Sequence, residues 1–129
     1  MEKVKCLTIC STLLLYFGGG NISSAKELAE NMQILADNIG ILQSSTNKKE
    51  MIDALEIMEL AVNDSMKSLP EKISHDDKKG GGEYKNELMK LNNEIVKAKE
   101  KVVSGDISDV PNSVMKMHKI RIEGHKKFR

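Results

Sequence analysis

The chain has 129 residues, enough for one domain, and its 20 basic and 19 acidic side chains nearly cancel, which gives no support to nucleic-acid binding. Aromatics are only 3% of it and Trp is absent. A sandwich or barrel needs alternating β-branched and aromatic residues, and no such runs occur; abundant Leu, Ile, Met, Lys and Glu favour an all-α fold.

Residues 1–25 read as an N-terminal signal peptide. Lys3 and Lys5 form a short basic start, Cys6 to Phe17 is apolar, and Ser23-Ser24-Ala25 is a small-x-small cleavage site. The apolar run is shorter than the roughly 20 residues a transmembrane helix needs. A buried or membrane-anchoring first helix is the competing reading. A lipoprotein signal at Cys10 fits less well, because Ile9 is not small and the apolar run continues past the cysteine. Cleavage after Ala25 removes two of the 20 basic and one of the 19 acidic residues, leaving 18 of each and no formal net charge. Cys6 and Cys10 leave as well. The exported domain, residues 26–129, then has no disulfide, no thiolate metal site and no Cys-x-x-Cys-His haem attachment.

Helix one is expected from Lys26 to about Gln43. Leu28, Met32, Leu35, Ile39 and Leu42 step by 4, 3, 4, 3, the stripe of a helix facing a bundle core, and Glu27 and Glu30 suit its N-terminal dipole. Ser44 to Asn47 is a turn, with Asn47 and Glu50 as a capping pair. Helix two carries Met51, Leu55, Met58 and Val62, continues through Met66 and Leu69, and stops at Pro70. Glu71 to Glu83, with Ser74 to Lys79 and Gly80-Gly81-Gly82, reads as a mobile solvated connection, and its glycines follow no phosphate-loop pattern. Helix three is expected from near Glu83, with the cleanest stripe of the chain: Tyr84, Leu88, Leu91, Ile95, Ala98 and Val102. Ser104-Gly105-Asp106 ends it. Helix four runs from about Asp109 to Phe128 with Pro111 in its first turn, and its stripe is Val114, Met117 or His118, Arg121, His125 and Phe128.

Four amphipathic helices with two short turns and one longer loop make an antiparallel up-down-up-down four-helix bundle. Helices one and four are then antiparallel, so Met32 and His125 fall at the same end. A thioether and an imidazole across an apolar gap form the ligand set of a low-spin haem iron, and Met/His ligation raises the potential relative to two histidines. Taken alone the pair is a weak signal. A Met on a bundle stripe is ordinarily core filler, and a His near a C-terminus is ordinarily solvated.

Glu30-Asn31-Met32 with Asp37-Asn38, Asp53-Ala54-Leu55 with Met58, and the closing His125-Lys126-Lys127-Phe128-Arg129 resemble the cytochrome b562 family, periplasmic b-type cytochromes, over nearly all of residues 26–129. The resemblance implies one non-covalent haem b, six-coordinate between the axial ligands Met32 and His125. It also implies contacts from Leu28, Leu35, Ile39, Pro70, Tyr84, Leu88, Leu91, Met117, Arg121 and Phe128. Arg121 reads equally as a porphyrin or propionate contact and as a surface arginine. Some positions depart from the family pattern. Tyr84 and Leu88 stand for two phenylalanines, Gly124 for an aromatic beside the His ligand, and Glu71 for the second proline of a Pro-Pro pair. Pro111 falls where the family's fourth helix is already under way. No departure removes a ligand.

The function implied is a periplasmic electron carrier and not an enzyme. It would be a monomer that meets redox partner proteins, with no nucleic acid and no membrane once the signal peptide is cleaved. His118, seven residues before His125, is a lesser rival ligand, and His75 reads as solvated. The alternative class is a haem-free periplasmic bundle that binds copper or a protein partner through its seven methionines and three histidines. Met115-Lys116-Met117-His118 is the only local cluster in its favour.

Overall fold

A computed structural model describes residues 27–128; the expected signal peptide lies outside them, as do Lys26 and Arg129. Among the described residues the helices are α1 (Leu28–Ser44), α2 (Lys48–Ser65), α3 (Lys78–Ser104) and α4 (Val110–Phe128), with a 3-10 turn at Ile107–Asp109 before α4. Each helix packs against its neighbour in sequence, and α1 against α4 closes the ring. The architecture is an all-α, antiparallel up-down-up-down bundle.

The 4-3 stripes supply the core. Leu35, Ile39 and Leu42 of α1, Met51, Leu55, Met58 and Val62 of α2, and Tyr84, Leu88, Leu91, Ile95, Ala98 and Val102 of α3 are buried, with Val110, Val114 and Met117 of α4. Burial is uneven along α1. Leu28 and Met32, nearest its start, are only half-buried.

The turn between α1 and α2 follows the expected capping at one of its two bonds. Asn47 Oδ1 accepts the Glu50 N–H at 2.9 Å, but the Glu50 carboxylate turns instead to the Ser45 hydroxyl at 2.5 Å. Helix α2 stops at Ser65, short of the expected Leu69. The Ser65 carbonyl, which a longer helix would offer to the Leu69 N–H, accepts the Tyr84 hydroxyl at 2.9 Å instead. Bonds from Lys67 N–H to Asp64 and from Ser68 N–H to Ser65 tighten the last turn. Pro70 then biases Leu69 away from helical geometry.

Helix α3 begins at Lys78, five residues before the expected Glu83. Asp77 supplies the missing cap, its Oδ1 accepting the Gly80 N–H at 2.9 Å. A strong cap of this kind outweighs the low helix propensity of the glycines in the first turn. Gly80 fits for a second reason: a Cβ there would collide with the Asp77 carboxylate. The connection between α2 and α3 is therefore residues 66–77, earlier in the chain than expected, and it is anchored. Ile73 is buried, and its N–H donates to the Pro70 carbonyl at 3.0 Å. Gly105 ends α3 in the left-handed conformation, φ 90°, which favours glycine. Pro111 is the second residue of α4, within the first turn as expected.

Tyr84 links the end of α2 to α3, so Tyr84→Phe is expected to cost about 1 kcal/mol and lower the melting temperature by about 5 °C. Thermal unfolding of the two proteins checks this. An unchanged midpoint would mean that the hydroxyl contributes nothing.

Candidate functional site

Four side-chain contacts mark the end of the bundle where α1 begins and α4 ends. The Asn31 side-chain amide, 1% exposed, donates to the Asp64 carboxylate at 2.8 Å, tying α1 to α2. Tyr84 ties α2 to α3 through its hydroxyl, and its ring meets Phe128 edge-on at 5.6 Å and 85°. Burial pushes the Tyr84 hydroxyl up to about 12, so it stays protonated and donates throughout the physiological range. Finally, Lys127 of α4 reaches Glu87 of α3 at 3.3 Å. All four helices therefore contribute to this end, with Met32 next to Asn31 and His125 one turn before Phe128.

The register of α1 against α4 is fixed lower down by a 3.4 Å contact between Gln43 Nε2 and His118 Nε2. From that level Met32 lies eleven residues back along α1, about 16 Å, and His125 seven residues on along α4, about 10 Å. The two donors therefore share one end of the bundle, offset by about one helical turn. Both are half-buried.

The helices that carry them form the least tightly packed of the four neighbouring pairs. A shallow depression at this end is lined by Arg121, Ile122, His125 and Lys126, all from α4. It brings Arg121 and His125 together but does not include Met32. The apolar side chains expected as walls are wholly or half buried. Leu35, Ile39, Pro70, Tyr84, Leu88, Leu91 and Met117 are buried, and Leu28 and Phe128 are half-buried. Arg121 was expected on the inward stripe and is exposed. The buried residues of α4, Val110, Ser113, Val114 and Met117, lie further down the helix, and the light α1–α4 contact leaves its upper face uncovered.

Donor chemistry and surroundings both fit a haem. A soft thioether and an imidazole stand half-exposed above an apolar floor, on the two helices that are easiest to part. Among the described residues no group of three or more His, Cys, Asp or Glu side chains is placed to hold a metal ion. The Met115-Lys116-Met117-His118 cluster does not converge. Met115 is exposed, Met117 is fully buried, and His118 is engaged with Gln43. Gly124, beside His125, has nothing within 4 Å of where a Cβ would stand.

Glu87, at 6% exposure, is the residue that pattern reading missed. It sits one position before Leu88 of the stripe, on a helix flank where charges are ordinarily solvated. Its Oε2 accepts from Lys90 at 2.9 Å as well as from Lys127. Burial alone raises the pKa of this carboxyl, but the hydrogen bonds from Lys90 and Lys127 outweigh it, and the net displacement is below the usual glutamate value. The carboxyl is thus more acidic folded than unfolded, and its contribution to stability is present above the unfolded glutamate pKa of about 4.3 and lost as pH falls through the lower folded value. The stability difference between the parent and Glu87→Gln is expected to be constant from pH 6 to 8 and to shift against the parent below about pH 4. Urea unfolding across that range measures it, and a pH-independent difference would contradict the assignment.

Compared with known proteins, residues 27–129 match the family described as Cytochrome b562. A Yersinia pestis protein named "Probable soluble cytochrome b562 1" is 33% identical over 131 aligned residues, which cover the whole of both chains.

Proposed function

The chain belongs to the cytochrome b562 family of b-type haem-binding cytochromes, and we propose that it is an exported electron carrier holding one non-covalent haem b between Met32 and His125. The observation that carries this reading is the arrangement of those two donors. They lie at the same end of the bundle, on the two helices that pack least tightly, above a buried apolar floor. Parting α1 from α4 breaks fewer packing interactions than opening any other neighbouring pair, so a planar macrocycle enters there at least cost.

When bound, haem supplies the one-electron ferric/ferrous couple, and the protein supplies ligation, a low-dielectric surround and an exposed edge. Met32 would hold the haem iron through its thioether and His125 through its imidazole. With both donors engaged, these residues would serve electron transfer. Leu35, Ile39, Leu88 and Leu91 exclude water from the buried side. Arg121, exposed beside His125, offers a guanidinium to a propionate at the rim. Export to the periplasm is supported by the leader pattern of residues 1–25. Among the described residues no helix is long and apolar enough to cross a membrane. The carrier would act as a monomer that meets its redox partner proteins at the exposed edge.

Haemin titration of the purified protein, with absorption spectra before and after dithionite, tests the reading. One equivalent is expected to bind and give the sharp, split bands of a low-spin ferrous haem. Met32→Ala and His125→Ala are each expected to abolish the low-spin spectrum and weaken binding at least tenfold, about 1.4 kcal/mol. A high-spin or weakly bound haem indifferent to both changes would contradict it and favour a haem-free bundle that takes copper or a protein partner.

A further inference from the structure

Among the described residues Glu87 is the only buried charged side chain, and the proposed haem ligation makes no use of it. Burying a carboxylate is costly, and a leucine would serve a bundle core better. Its Oε1 is buried without a partner in the protein, which costs more again. Its Oε2 is bound by Lys90 of the same helix at 2.9 Å and by Lys127 of α4 at 3.3 Å. Three residues before Glu87 on α3, Tyr84 meets the ring of Phe128, the residue after Lys127. One turn of α3 therefore grips two consecutive residues of the last turn of α4, by charge and by ring contact.

That turn has an intrinsic reason to fray, since the final carbonyls of a helix lack intrahelical partners. It also holds His125. On its other side α4 packs only lightly against α1, so the grip on α3 is what fixes the turn. We propose that Glu87 is a positioning residue: through Lys127 it holds the last turn of α4 against α3, so that His125 is already presented to the α1–α4 seam before a ligand arrives. The inference rests on the haem reading for its purpose and on the ion pair for its geometry. If the turn were only partly ordered, the apparent affinity would fall by the ordered fraction.

The test is amide hydrogen exchange of residues 122–128 in ligand-free protein, run beside haemin titration of the same samples. The proteins are the parent, Glu87→Gln, Lys127→Met and Lys127→Arg. Lys127 is half-exposed, so its replacement leaves the core intact. Exchange in the last turn is expected to speed up roughly five- to tenfold in Glu87→Gln and Lys127→Met, with the haemin dissociation constant rising by a similar factor. Lys127→Arg, which keeps the pair, is expected to restore both. Unchanged exchange in the first two variants would overturn the proposal, and so would faster exchange with unchanged haemin affinity. Failure of the parent itself to bind haemin would instead sink the haem reading, and the exchange data would still decide whether the clamp exists.

Discussion

The closure of the ring between α1 and α4 is the constraint on which the rest depends. The other three helix pairs are joined directly through the chain, and their stripes interlock over most of their length. The first and last helices have no such connection. They meet because α2 and α3 carry them round, and they meet lightly. Near its lower end the seam has a polar contact, Gln43 with His118. Near its upper end it has half-buried Leu28, Met32, His125 and Phe128. A bundle that sealed this seam would gain apolar burial, at roughly 25 cal/mol per Å², and would have no place for a prosthetic group.

Polar contacts compensate at the same end. Where apolar packing thins out, Asn31–Asp64, Tyr84–Ser65 and Glu87–Lys127 tie the helices in sequence order. Such directional bonds fix geometry more than they add stability, because each exchanges a bond to water for a bond within the protein. The arrangement suits a site that must hold two donors at a set separation while staying able to open between them.

Much of this was legible in the residues. The 4-3 stripes placed four helices and most of the core, since one period governs both sequence and burial in a bundle. The end of α2 and the start of α3 depart from the pattern, one for a tertiary and the other for a local reason. Asp77 is an ordinary aspartate until its carboxylate is seen to accept from Gly80, and glycines then stand inside a helix that composition alone would deny them. Likewise the Met66–Leu69 continuation of the stripe looked helical, but a tertiary bond from Tyr84 took the carbonyl that would have extended it. Arg121 shared the period of the stripe without sharing its burial, because the period says which way a helix faces and not whether a neighbour covers it. Glu87 had no signal in pattern at all. It pairs with Lys127, forty positions away, and no local rule links the two.

The family resemblance on Met32 and His125 drew weight from their order and distance along the chain rather than from either residue. The proposed function requires that one iron join these two side chains across the α1–α4 seam. Iron K-edge X-ray absorption on the haem-loaded protein tests it most directly. A first shell of one sulfur and five nitrogens, losing its sulfur in Met32→Ala, is the predicted result. A shell without sulfur in the parent protein would contradict it, placing the iron on other ligands and leaving Met32 as core filler.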